Sequence, residues 1–319
     1  MTTRLFAWRD IPTLQSQREH SVFLDSALVL TRGQLIVPGA LLSYFVPSMG
    51  VITCVADGRE PSEPSIIGQF IHLPASSFAH LTFLTPNAAL DAPLILELLD
   101  YMAILAGARG ALRLLADVDE RSAAFEAMRR CGYAIFSRQR VWRLTGQLPG
   151  KSESAHWRNA HGGDAAAIRA LYNNIVPGMV QQVEPFDAQR PHGLVYDENG
   201  EVAAYVELKY GHRGIWVQPF VHPDAEGVAE CFLDLIHEIP SRYSRPVYVC
   251  VRSYQSWLEP AIQDSGAEAS PRQAVMVKHL ASQQKALRSR ALPSLEGSQP
   301  EITAPIAHTE INQTDHGTA

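Results

Sequence analysis

A side chain that moves protons at neutral pH needs a pKa near that pH and a place at the edge of a cavity. Few residues of this chain combine a suitable type with a suitable position. His80 lies inside the run AHLTFL, and Asp117, Asp119 and Glu120 close the run LRLLADVDE. Glu207 and Tyr205 alternate in VAAYVELKY, so on a strand both point to one face, and Gln218 in IWVQPFV is placed to join them. Each has an ordinary alternative: His80 as a satisfied strand histidine, Asp119 and Glu120 as negative charges at a helix start, Glu207 on a solvated sheet face. His156, His161, His192, His212, His222 and His237 show no HExxH-type spacing with a third ligand, so no metal is expected. The absence of a Gly-x-Ser-x-Gly elbow argues against a serine hydrolase of that architecture.

Elements that would position these groups come from hydrophobic periodicity. Ala79–Leu144 reads strand, turn, helix, strand, helix, strand. The first helix carries Ile95, Leu98, Leu99, Met102 and Leu105 on one face, and the second follows a capping Ser122. Gly214–Leu280 repeats the order. The interval from Ala79 to Gly132 is 53 residues and that from Ile215 to Gly266 is 51, which marks an internal duplication. An α/β fold with a mixed sheet follows. Upstream, Arg4–Ile11 reads as a strand, Pro12–Leu30 as one helix, and Val51–Ala56 with Ile66–Leu73 as a hairpin. Asp164 is placed to cap a helix whose face is Ile168, Leu171, Tyr172 and Ile175, and Asn199-Gly200 marks a hairpin turn. The polar break Thr145–Ser154 sets domain limits of 1–148 and 155–281, and the polar segment 282–319 reads as a disordered tail.

Composition fits a globular chain: 46% hydrophobic, 19% charged, formal charge −6. No basic cluster or long apolar run stands out, so neither nucleic acid nor membrane is an expected partner. MTTRLFAWRDIP lacks a secretory pattern, and the four scattered cysteines have no CxxC pair. Both suit a cytoplasmic protein with reduced core thiols. Trp142, Trp216 and Trp257 are expected in packing.

The second copy's order of strand, helix, hairpin, strand, turn, helix, strand, helix, strand resembles the GNAT superfamily of N-acyltransferases. So do Val221-His222-Pro223 after the central strand and Gly132-Tyr133 after a later helix. The resemblance covers Trp157–Leu280 and Ile52–Leu144 about equally, and Arg4–Gly50 loosely, so the chain looks like a tandem pair. It implies an acyl-CoA, such as acetyl-CoA, lying between two splayed central strands. A small-molecule or protein amine would attack the thioester directly, with a backbone N–H for the oxyanion. The base would then be His80 or Asp117 in the first copy, or Glu207 in the second. Met128 and Ile262 stand where the family places its acid tyrosine, which leaves Tyr254 as a substitute. Cofactor contacts would fall at Phe83, Thr85 and Asn87 in the first copy, and at Val221 and Gly227 in the second. The family's Gln/Arg-x-x-Gly-x-Gly/Ala phosphate loop is degenerate in both. Asn87–Pro93 has no glycine or base, and Asp224–Ala229 has Gly227 beside two carboxylates. Of the two, the first copy is the better candidate for CoA, because Asp224 and Glu226 would repel phosphate. Two functions stand open: acetyl transfer to an amine, or a catalytically silent pair that binds a small molecule or a protein.

Overall fold

The backbone N–H and C=O groups of an inner strand need partners on both edges, and this sequence supplies them by exchanging strands between its two halves. The computed structural model describes residues 3–58, 63–74, 76–144, 157–186, 191–198, 201–225, 228–239 and 245–280. The expected linker, the tail, Asn199-Gly200 and Gly227 lie outside the described residues.

The first copy comprises β1 (Thr3–Leu5), α1 (Ile11–Gln17), β2 (Val22–Phe23), α2 (Ser26–Arg32), α3 (Ile36–Phe45), β3 (Val51–Ala56), β4 (Ile66–Ile71), β5 (Phe78–Thr85), α4 (Leu94–Ala108), β6 (Arg113–Asp119), α5 (Ala123–Arg130) and β7 (Ala134–Leu144). The second comprises β8 (Trp157–Asn159), α6 (Ala165–Ile175), α7 (Gly178–Val183), β9 (Gly193–Glu198), β10 (Glu201–Tyr210), β11 (Ile215–Val221), α8 (Val228–Glu238), β12 (Val247–Arg252), α9 (Glu259–Asp264), β13 (Glu268–Ala269) and β14 (Gln273–His279).

Among the described residues, the strands join one 14-stranded sheet in the order β1-β3-β4-β5-β6-β14-β7-β12-β11-β10-β9-β8, with β2 on β5 and β13 on β7. The order is symmetric about its middle. β14, last in the second copy, pairs with β6 of the first, and β7, last in the first copy, pairs with β12 of the second. The two central strands hold equivalent positions: β5 lies antiparallel to β4 and parallel to β6, and β11 lies antiparallel to β10 and parallel to β12. Each parallel pairing is short. β5 and β6 are in register only at Phe78–His80, and β11 and β12 only at Ile215–Val217. Beyond those residues the strands splay.

Alternation along the strands divides the core between two faces. Leu114, Ala116, Ala274 and Met276 pack under α4 and α5, and Val217, Val249 and Val251 pack with Phe232 and Leu235 of α8. On the opposite face, Leu115, Val275, Tyr205 and Phe220 pack under α6 and α7, while Val55, Ile67 and Phe83 pack under α1 and α3.

The duplication is visible in single side chains. Arg4 binds Asp10 through Nη1 (2.7 Å) and Asp57 through Nε (2.9 Å). Arg158 binds Asp164 (2.8 Å) and Asp197 (2.6 Å) with the same nitrogens. Both aspartates at the helix entrances also accept a backbone N–H, from Ala7 and His161.

Two expectations are corrected. Residues 12–30 do not form one helix. Asp25 Oδ1 accepts from Leu28 N at 2.9 Å and opens a new helix there, and before it a 3-10 turn at Arg18–His20 leads into β2, which is extended and pairs with β5. Trp257, expected in packing, is 38% exposed, whereas Trp142 and Trp216 are buried.

Candidate functional site

Where two paired strands splay, backbone groups lose their partners and must find others. In the first copy the chain itself supplies them. Val22 and Phe23 lie in register with Leu84 and Phe83 as an added antiparallel strand. Leu24 continues it, donating its N–H to Thr82 O (2.9 Å) and accepting from Asp117 N (2.8 Å), so one residue bridges both lips of the gap. Thr85 turns its hydroxyl to Gln17 O at 2.9 Å. Asn87 opens a short turn in which Ala89, Leu90 and Ala92 donate to carbonyls within the loop. Beside Phe83 and Thr85, where cofactor contacts were expected, β2 and Leu24 thus run along the open edge of the splay.

In the second copy a side chain fills the gap. The buried Gln255 accepts from Val221 N (2.9 Å) and donates to Pro219 O (2.8 Å). These bonds show that residues 219 and 221 turn their backbone groups into the splay. Proline has no N–H to offer there, and the remaining donor, Val221, is taken. The expected contact at Val221 meets the carboxamide instead. In the second splay, residues 219 and 221 therefore present no free central-strand donor to a thioester carbonyl.

The four residues singled out for proton transfer converge elsewhere. His80 of β5, Asp117 of β6, Glu207 of β10 and Tyr254 after β12 all line one cavity of about 730 Å³, on the face carrying α2, α6 and α7. Both copies thus contribute to a single cleft. Asp117 is 8% exposed, and its Oδ2 accepts from Ser26 N at 3.1 Å. His80 Nδ1 is buried without a partner. Glu207 stands 3.5 Å from Lys209, and its charge is the main cause holding that ammonium above its ordinary pKa. Burial raises the phenol of Tyr254, and Arg252 beside it opposes the shift, so Tyr254 stays protonated through neutral pH.

Sequence reasoning missed a deeply buried cation in the cleft. Arg252 ends β12 with its side chain 7% exposed, and its Nη2 meets both oxygens of Glu184 at 3.0 Å. An arginine closing the apolar run PVYVCV was the available signal. Lys209 and Gln139 also line the wall, the latter accepting from the Cys250 thiol at 3.3 Å. Burial pushes that thiol up to about 12, so it stays protonated and unreactive. Among the described residues, no group of three or more His, Cys, Asp or Glu could hold a metal ion.

A duplicated, splayed mixed sheet with helices on both faces is the fold of the GCN5-related N-acetyltransferases, here in two tandem copies. The GCN5-related N-acetyltransferase of Sphaerobacter thermophilus matches over 87% of this chain and 95% of its own, with TM-score 0.51 and 13% identity. A tandem GNAT protein of the clavulanic acid biosynthesis pathway, solved without AcCoA, matches over 87% and 98% (TM-score 0.48, 14% identity). A GNAT-family acetyltransferase of Colwellia psychrerythraea matches over 88% and 100% (0.44, 12%). At these identities the likeness is one of fold. No protein-family model and no curated protein matches the sequence.

Proposed function

We propose that this chain is a silent acyltransferase fold that binds a small molecule in the cleft between its copies. One observation supports this above the others: the chain itself occupies both splays, with Leu24 and β2 along β5 in one copy and with Gln255 on Val221 N beside Pro219 in the other. The cleft, by contrast, has a volume within the range of small-molecule sites and carries polar groups from six strands and loops. A thermal shift titration with acetyl-CoA tests the reading, because a ligand that binds only the folded state must raise Tm. No shift at millimolar acetyl-CoA is the expected outcome, and a saturable rise would overturn the reading.

The second reading is acetyl transfer to an amine. It is favoured by the convergence of His80, Asp117, Glu207 and Tyr254, and by the second splay being closed by a side chain that can rotate, whereas backbone closes the first. Acetyl-CoA consumption with an amine panel, abolished by Tyr254→Phe or Glu207→Gln, would establish it.

A further inference from the structure

A buried guanidinium with unmet hydrogen bonds points to a missing acceptor. Glu184 engages Arg252 through Nη2 alone, and neither Nε nor Nη1 of Arg252 has a partner or reaches solvent. The same wall carries two further unspent donors, the Tyr254 hydroxyl and the Gln218 amide, and Arg252 is close enough to Tyr254 for each to shift the other's titration. Glu207 and Glu184 on this wall are already balanced by Lys209 and Arg252. What the wall lacks is an acceptor for Nε and Nη1 of Arg252. The adjoining surface is apolar: Tyr172, Phe186, Tyr205 and Phe220 pack ring against ring, with Tyr172 and Phe186 stacked at 5.0 Å.

We propose that the cleft takes a small organic carboxylate with an aromatic or apolar body, its carboxylate against Arg252 and Tyr254 and its body along the Phe186–Phe220 wall. The inference rests on the reading of the cleft as a small-molecule site. Carboxylate is the chemistry that Arg and Tyr donors recognise together, and a charge-assisted bond to a desolvated guanidinium is among the stronger polar contacts. Glu184 then competes with the ligand for the same guanidinium.

The test uses the full chain and three probes read by isothermal titration and thermal shift: 3-phenylpropanoate, phenethylamine and inorganic phosphate. 3-Phenylpropanoate should bind and raise Tm, while phenethylamine, with the ring and the opposite charge, should not. Glu184→Gln should tighten 3-phenylpropanoate several-fold by freeing Nη2. Arg252→Gln alone leaves Glu184 without its partner and risks unfolding. The double variant Arg252→Gln/Glu184→Gln removes both charges together and should weaken the probe at least tenfold while keeping its circular dichroism. Equal or tighter binding of phenethylamine, equal competition by phosphate, an unchanged affinity in the double variant, or no binding of either ring probe would each overturn the proposal. A Tm rise with acetyl-CoA would instead overturn the silent-fold reading and leave the carboxylate result standing, so the two failures are distinguishable.

Discussion

A glutamine carboxamide offers one acceptor and two donors, which is what a short piece of strand edge offers. Gln255 uses both kinds, toward Val221 N and Pro219 O. Gln255→Ala should leave that buried pair unsatisfied, and a buried donor or acceptor without a partner costs about 1–3 kcal/mol. Chemical denaturation of the variant should show a loss of that size, and an unchanged midpoint would mean that water replaces the amide at no cost. The Arg158 cluster gives a pH-dependent prediction. Hydrogen bonds from Arg158, then the N–H of His161, outweigh burial and hold the Asp164 carboxyl at about 2, against an ordinary 3.8. A carboxylate depressed in the folded state stabilises fully above its unfolded pKa, near 4, and that contribution is lost as pH falls through 2. In Arg158→Met the Asp164 midpoint, followed by carboxyl carbon NMR, should rise toward 3.8. This cluster was also legible and overlooked. Arg4…Asp10 and Arg158…Asp164 share one spacing, a repeat signal in the stretch where hydrophobic pattern showed the resemblance only loosely. His80, Asp117, Glu207 and Tyr254 share one cleft because β5, β6, β10 and the end of β12 open onto the same face. Arg252 and Gln255 were missed because a sequence shows residue types but not which backbone donors are left over.

At the scale of elements, local pattern carried β5, α4, β6, α5 and β7, whose apolar positions repeat with strand or helix period, and it failed between residues 12 and 30. There Leu14, Val22, Leu24 and Leu28 fit a helical spacing loosely, yet Leu24 is buried as extended chain because the splay of β5 and β6 offers two open edges. That edge is a tertiary fact, invisible to a local window. α2, which follows, reaches across the sheet to the second copy. Arg213 N donates to Thr31 O at 2.9 Å, and the turn at Gly211 runs against the same carbonyl. A Cβ at Gly211 would collide with Thr31 O, a backbone atom that cannot rotate away. Gly211→Ala should therefore push α2 from β10 and β11 and destabilise by a few kcal/mol, roughly the range for an overpacked site. Because Thr31 and Lys209 both line the cleft, the same variant should weaken any cleft ligand, whereas Gly162→Ala, where a Cβ meets nothing within 4 Å, should leave binding unchanged. Equal affinity in the two variants would show that α2 does not shape the pocket.

At the scale of the molecule, duplication was readable from spacing, but the exchange of last strands was not. A strand's period tells which face is buried and nothing about which of two equivalent sheets it enters. β14 lies between β6 and β7, and β7 lies between β14 and β12, so each copy completes the other's sheet. Gln139, Gln273 and Arg252 fall in one row across that seam, with Gln139 Nε2 donating to Gln273 Oε1 at 3.0 Å. The wall of the cleft at Arg252 thus depends on a strand from the other half of the chain. Division of the chain at residue 150 is therefore expected to leave neither half folded alone: residues 1–150 would expose the edges of β6 and β7 where β14 belongs, and 151–319 would lack the neighbour of β12. Unpaired apolar edges recruit other chains, so each half should aggregate when expressed singly. Co-expressed, the halves should reassemble through the exchanged strands into a 1:1 complex with the thermal profile of the intact chain shifted down, since the pieces must now associate. Two soluble, monomeric halves with cooperative melting would show instead that each copy can fold back its own last strand.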